Sequence, residues 1–329
     1  MLTIYLEKGI ANHFRTKAIL SRLNNFEIIL IDRYQEVFHR PQQDYLQQKN
    51  RGKAMILAEK KGELVQKNPD YCFSTGKHNY YFSVAYNCPF NCEYCFLQGM
   101  FRSAYPIFFV NFEDFASEIK NIYEQHQGEE TWFFASYEND ILAWDNLIAF
   151  SEYFVPFFAS LKNAKLELRT KSSQIRSLES IQANDQTVIS WSLNPEEDIQ
   201  TWEKGTASLK DRINAIQTLQ AKNWKIGLRL EPLIIQNNSI PKYIELFQEI
   251  EKNLDIKRLD SVFWSYLKFP PLLLGQIRKM RPQSKLLWYP FKIADKGEMS
   301  YRPDQKTAIN EFWQERFTKY LDPERMRWY

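Results

Sequence analysis

Between residues 78 and 264, short strand-like runs alternate with amphipathic helical stretches, and no other feature restricts the fold of this chain as much. The strand-like runs cover residues 80–85, 132–136, 165–169, 187–192, 225–231 and 258–264. Apolar residues at helical spacing mark 112–126, 147–162, 209–221 and 242–252 between them. The first of these helices opens at Asn111, read as its N-cap, with Asp114 three residues on. Repeated strand–helix units bury a parallel sheet beneath helices, so six of them predict an α/β fold, a partial (β/α)6 TIM-type barrel. In that architecture the chemistry gathers at the carboxyl ends of the strands.

An N-terminal α/β domain is expected over residues 1–75, ahead of a barrel domain over 76–329. Strand-like runs at 3–6 and 27–32 flank a helix at 14–23, where Phe14, Ala18, Ile19 and Leu23 recur at helical spacing, which reads as a βαβ unit. A polar stretch, residues 40–53, then precedes a short apolar strand at 54–58. Beyond the sixth barrel strand a β-hairpin is predicted over about 285–302, turning at Asp295, Lys296 and Gly297, followed by a closing helix at 304–321.

Composition narrows the class further. With 44% hydrophobic residues over 329 positions the chain can bury a full core, which excludes general disorder. The 10 glycines form neither a GxGxxG nor a P-loop, so a phosphate cradle of those kinds is excluded. No run of 18 apolar residues occurs and the first residues do not follow the secretory pattern, so a cytoplasmic protein without a membrane partner is expected. A formal net charge of +3 exerts little pull on a polyanion, and any nucleic-acid contact must come from a local patch.

The four cysteines, Cys72, Cys88, Cys92 and Cys95, all lie in one short region, just after the first barrel strand or before it. Such grouping marks a site, and a reducing compartment argues against a disulfide framework. Cys88-Pro-Phe-Asn-Cys92-Glu-Tyr-Cys95 puts three thiols in one loop with the spacing CxxxCxxC. Zinc, with Cys72 or His78 as a fourth ligand, is one reading, and it would make the chain a zinc-binding nucleic-acid-binding protein. The other is an iron–sulfur cluster, in which three protein thiolates leave one iron open to a substrate or cofactor.

CxxxCxxC with an aromatic residue before the last cysteine resembles the radical S-adenosylmethionine superfamily. The resemblance implies a [4Fe–4S] cluster on Cys88, Cys92 and Cys95, with S-adenosylmethionine cleaved to a 5′-deoxyadenosyl radical. More closely, the segment from Cys92 to Gln98, the block from Tyr45 to Gln48, Ala135-Ser136 with Asp140, and Asp145-Asn-Leu147 resemble the spore photoproduct lyase family over nearly the whole chain. That family splits a thymine dimer in UV-damaged DNA. It therefore implies DNA as a partner, together with a reductant such as a flavodoxin or ferredoxin.

Other site residues follow from the same resemblance, position by position. Lys171, in Leu168-Arg-Thr-Lys171, and Ser192, in Trp191-Ser192-Leu-Asn194, match strand ends that contact S-adenosylmethionine. Asn139 replaces a family serine, and Glu138 either takes the methionyl ammonium or lies exposed. Glu231 stands where the family has a small residue, either altering the cofactor site or pairing with Arg229 or Arg169. Two departures concern the chemistry itself. Tyr137 occupies the position of the cysteine that returns a hydrogen atom to the thymine radical, and Phe96 replaces one of two relay tyrosines, while Tyr94 retains the other. Either Tyr137 donates the hydrogen atom with Tyr94 completing a shortened relay, or the scaffold serves a different lesion or substrate. Trp288, Tyr289, Lys292, Tyr301 and Arg302 interleave aromatic and basic residues on the predicted hairpin, a pattern suited to wedging duplex DNA and holding an extruded base.

Overall fold

The structure is a computed structural model, and it describes residues 1–69, 76–126, 128–236, 239–294 and 297–328. These residues form two compact units. One comprises Met1–Pro89, Met100–Arg169 and Arg176–Gln182, the other Phe90–Gly99, Thr170–Ile175 and Ala183–Tyr329. Among the described residues no helix is long and apolar enough to cross a membrane.

The first unit contains a five-stranded sheet in the order Phe26–Ile31, Leu2–Glu7, Ala54–Ala58, Ile107–Phe109, Ala85–Tyr86. The first four strands are parallel and the last is antiparallel. Met55, Ile56, Leu57 and Ala58 are all buried, as a strand covered on both faces requires. The helix expected at 14–23 spans Phe14–Ser21, but its buried face is not the one the apolar spacing indicated. Phe14 is exposed, whereas Arg15 is buried, paired with Glu113 at 2.8 Å and set over the Phe112 ring at 4.0 Å. An ion pair and a cation–π contact thus hold a face that apolar periodicity cannot reveal.

The barrel strands of this unit are His78–Phe82, Thr131–Phe134 and Ala164–Thr170, parallel to one another, with Val65–Lys67 antiparallel at the edge. The run at 80–85 is divided between two sheets, since Ala85–Tyr86 pairs with Ile107–Phe109 instead. The helix expected at 147–162 is two helices, Ile141–Ile148 and Phe150–Ala159. They part at Ala149, whose φ of 54° is left-handed, and the buried Asp145 carboxylate accepts the Ser151 N–H at 2.8 Å to start the second. Asn111 stands at the start of Phe112–Gln125, but its side chain makes no cap. It bonds the Lys60 backbone in both directions at 3.0 Å and donates to Asp114 at 2.7 Å, tying the helix to the end of strand Ala54–Ala58.

The second unit carries four parallel strands, Thr187–Ser192, Lys225–Leu233, Ser261–Tyr266 and Met326–Trp328. Helices Leu209–Ala221 and Ser239–Asn253 connect the first three as expected. The last strand, and the helices Glu196–Trp202 and Pro271–Met280, have no counterpart in the sequence reading. The closing helix, Pro303–Phe317, buries Ile309, Trp313 and Phe317, and Trp313 packs on Tyr243 and Phe247. The hairpin is present but short. Lys292–Ile293 pairs antiparallel with Met299–Ser300, which also pairs with Lys268–Phe269. Gly297 turns at φ 81°; Asp295 and Lys296 lie outside the described residues, as does Cys72.

Candidate active site

Cys88 lies in the first unit, directly after Asn87, whose φ of 65° is left-handed. An asparagine tolerates that conformation, and here its buried side chain also holds it in place. It accepts from the Tyr45 hydroxyl at 3.2 Å and donates to the carbonyls of Ser103 at 2.8 Å and Tyr105 at 2.9 Å. Lys49 donates to the Cys88 carbonyl. Gln48 accepts from Ser103 Oγ at 3.0 Å and from the Ala104 N–H at 2.9 Å. The block from Tyr45 to Gln48 therefore acts by fixing the backbone that leads into the cysteine loop.

The residues after strand Thr131–Phe134 lie in the same unit. Tyr137 is half-buried, its ring 4.7 Å from that of Tyr81 and tilted by 41°. Glu138 is 7% exposed, which removes the reading of an exposed carboxylate. Burial raises its pKa, opposed by the Ser83 hydroxyl and the Lys60 ammonium. Lys60 is itself buried, with Tyr86, Phe109 and Phe115 around its Nζ at 5.2–5.8 Å. Asn139 donates to the Ala85 carbonyl at 2.8 Å, and its buried Oδ1 has no hydrogen-bond partner. Asp140 caps helix Ile141–Ile148 through the Ala143 N–H at 3.1 Å, a structural task.

Cys92 and Cys95 belong to the second unit, where Asn91–Cys92 forms a two-residue ladder with Glu203–Lys204. Glu203 is fully buried beneath this loop. It accepts from Tyr94, from Asn194 Nδ2 at 2.8 Å and from Arg212 at 2.6 Å. Burial alone would raise its pKa, but Arg212, Lys171 and the Tyr94 hydrogen bond outweigh burial and hold it below the ordinary carboxylate value. The Tyr94 phenol is pushed well up, by burial first and then by the Glu203 charge. Arg212 further donates to the carbonyls of Ser192 at 2.8 Å and Ala207 at 2.9 Å, so one guanidinium ties the cysteine loop to the end of strand Thr187–Ser192. The loop's far end is held by Arg281, which donates to Gln98 Oε1 at 2.6 Å and to Asn91 Oδ1.

Lys171 sits with its ammonium 5.8 Å over the Tyr94 ring, and Ser192 is buried at its strand end. Glu231 is half-buried; Arg229 donates to Ser261 Oγ at 3.2 Å, and Arg169 donates to Glu167 at 2.8 Å. Within the second unit, Lys171, Ser192, Tyr94 and the loop cysteines are thus linked through Glu203 and Arg212. Neither of these two appeared in the sequence reading, nor did Asn87 or Lys49, and Asn194 entered it only as the end of the Ser192 segment. One signal was available: Arg212 follows Leu209 at i+3 on the stripe that continues through Ile213 and Ile216, a core position for a charge.

The hairpin residues divide between surface and core. Trp288, Lys292 and Arg302 are exposed, with Arg278 5.0 Å over the Trp288 ring and Arg302 paired to Asp304 at 2.9 Å. Tyr289 is half-buried, its hydroxyl accepting from Gln305 at 2.6 Å. Tyr301 is only 2% exposed, packed on Phe291, Tyr289 and Tyr266, so the expectation that it meets a base is corrected to a core role. Glu298 pairs with Lys268 at 3.2 Å.

The zinc reading is not favoured, although Cys72, one of its two candidate fourth ligands, lies outside the described residues. His78 instead binds Glu129 at 2.5 Å and stacks on His126 at 3.6 Å. The donor set does fit an iron–sulfur cluster. Three thiols lie within eight residues of one loop, the donor set that leaves one iron of such a cluster open to a cofactor.

A family model described as spore photoproduct lyase matches residues 3–328. The spore photoproduct lyase of Clostridium acetobutylicum is 24% identical over 97% of this chain and 96% of its own. That of Bacillus subtilis is 24% identical over 84% and 82%. Among solved structures, a spore photoproduct lyase mutant with bound AdoMet and dinucleoside spore photoproduct superposes with a TM-score of 0.84 at 19% identity, covering 99% of this chain and 97% of that one. Spore photoproduct lyase complexed with dinucleoside spore photoproduct gives 0.85 at 17% identity with the same coverage. The fold is therefore that of these structures, the partial TIM-type barrel that the strand–helix repeats predicted.

Proposed function

Because the chain belongs to the spore photoproduct lyase family, we propose that it is a radical S-adenosylmethionine lyase that splits a thymine-dimer lesion in UV-damaged DNA, with Tyr137 in place of the family's thiol hydrogen donor. The observation that carries the reading is the family match over residues 3–328, with all three cluster cysteines inside it. Cys88, Cys92 and Cys95 would hold a [4Fe–4S] cluster, which with S-adenosylmethionine supplies a 5′-deoxyadenosyl radical to the substrate. Lys171 would meet the cofactor carboxylate and Ser192 its ribose, as a cationic amine and a hydroxyl can at strand ends. Glu138 would take the ammonium, for which a buried carboxylate raised by desolvation gains most from a cationic partner. Asn139 offers an unpartnered Oδ1 as an acceptor. Glu231 contributes a further carboxylate at a strand end.

Tyr137 carries the one hydrogen-donating group at the family's thiol position. Its O–H breaks as a C–H bond forms on the thymine radical, leaving a phenoxyl radical. Trp288, Lys292 and Arg302 form the exposed part of the DNA contact, with Tyr289 behind them. A flavodoxin or ferredoxin supplies the electrons, and the compartment is the cytoplasm. The test is anaerobic turnover of reconstituted protein with reductant, S-adenosylmethionine and an oligonucleotide containing spore photoproduct, read as 5′-deoxyadenosine and restored thymines by mass spectrometry. Restored thymines that require both cofactor and lesion are expected. Deoxyadenosine without loss of the lesion refutes the substrate, and clean repair by Tyr137→Phe refutes the donor.

A further inference from the structure

The geometry points to Arg278 as the positioning residue that presents Trp288 as a stacking platform for one base of the DNA beside the lesion. This deepens the reading of the chain as a lesion-repair enzyme and rests on its DNA contact. The platform is built out from helix Pro271–Met280. Ile277 is buried on that helix, and Gly99 lets it approach so closely that a Cβ there would lie 3.1 Å from Ile277 Cγ1 and from the Leu273 carbonyl oxygen. Arg281, just past the helix, holds the cysteine loop through Gln98, while Arg278, one turn earlier, holds the chain that folds back. Leu286 and Leu287 anchor that returning chain in the core, and Trp288 follows them 55% exposed.

The exposed indole is nevertheless fixed. Arg278 Nε donates to the Leu287 carbonyl at 2.8 Å and Nη2 to the Tyr289 carbonyl at 3.2 Å, so one guanidinium grips the backbone on both sides of Trp288. The same guanidinium lies 5.0 Å over the indole ring. Trp288 Nε1 donates to the Pro282 carbonyl at 2.9 Å. An indole has no other donor, so what it offers solvent is the flat π face. Such a face stacks on a flat ligand, and the bases unstacked around a lesion are the flat groups that DNA presents. A ring held before binding also loses less side-chain freedom when it stacks.

Binding of holoenzyme to a duplex containing spore photoproduct, titrated anaerobically over a range of salt concentrations, tests this. Trp288→Ala should weaken binding about 5- to 150-fold, the worth of one base–aromatic stack, and Trp288→Phe should recover part of the loss. Arg278→Lys keeps the charge but loses the planar fork, so it should weaken binding by a smaller factor, leave the salt slope at the parent value and add nothing once Trp288 is alanine. Parent-like binding by Arg278→Lys, with Arg278→Met lowering the salt slope by about one even in the Trp288→Ala background, would make Arg278 a phosphate contact and overturn its positioning role. Affinity of Trp288→Ala equal to the parent's overturns the platform and leaves the DNA reading standing, whereas a parent that does not bind the duplex overturns that reading itself. In the parent, 2-aminopurine placed in turn at each base around the lesion should be quenched on binding at one position, by contact with the indole. Quenching at none of them also refutes the platform.

Discussion

Replacing Arg212 by methionine isolates the buried charge pair beneath the cysteine loop. Methionine keeps an apolar stem of similar reach but removes the guanidinium that meets Glu203 at 2.6 Å, Thr206 at 2.7 Å and the Ser192 carbonyl at 2.8 Å. The side chains of Arg212 and Glu203 are 0% and 1% exposed, so water cannot replace the lost partner. An uncompensated buried carboxylate costs about 3–5 kcal/mol. Equilibrium urea unfolding under anaerobic conditions reads this loss from the midpoint and slope. The pH dependence gives a second, sharper check. In the parent, Glu203 titrates below its ordinary value, so its contribution is present above the unfolded-state pKa and fades as pH falls through the lower folded value. Without Arg212, burial governs Glu203 and its pKa rises above the ordinary value. The penalty should then be full at neutral pH and shrink as the medium becomes acidic and the carboxyl protonates. Adding Glu203→Gln to Arg212→Met should recover part of the loss at neutral pH, because a neutral amide replaces the stranded charge. A loss under about 1 kcal/mol, or one that does not change with pH, would refute the account of a paired, fully desolvated charge.

Asn87→Ala removes three side-chain hydrogen bonds and places a Cβ without compensation at φ 65°, so reconstituted protein should bind less iron and sulfide. Iron content equal to the parent's would show that the Asn87 turn does not hold the loop. Lys292→Ala with Arg302→Ala should weaken binding to a lesion-bearing duplex and flatten its salt dependence, while turnover of the dinucleoside stays near that of the parent. An unchanged salt slope would exclude the hairpin from the DNA contact. Tyr301→Ala should lower stability by about 3–5 kcal/mol, as for a large buried ring. Normal thermal stability with weakened DNA binding would return Tyr301 to the interface.

Most of the barrel was legible because its signal is local. Thr187–Ser192 and Leu209–Ala221 have the bounds that periodicity predicted, since each is a single run with one partner environment along its length. The divided strand at 80–85 was not legible. Its residues are apolar or aromatic apart from Ser83, and only the position of Ile107–Phe109 draws Ala85–Tyr86 into another sheet. The break at Ala149 was hidden likewise, because an alanine carries no mark of a left-handed turn and the Asp145 carboxylate that starts the next helix lies four residues earlier.

The sequence by itself determined the class of chemistry, because three thiols within eight residues must share one loop whatever the rest of the chain does. It also determined the family, and with it the barrel. Tertiary structure decided which polar residues serve that loop. Glu203, Arg212, Asn87 and Lys49 reach it only through burial and backbone geometry, and a charged residue meant for a buried partner looks the same in a sequence as one meant for water. Tertiary structure also decided that Tyr301 belongs to the core while Trp288 faces solvent, and that Tyr81 meets Tyr137. Those outcomes depend on which surfaces are left after the sheets have closed over their apolar faces, and no local run of residues records that balance.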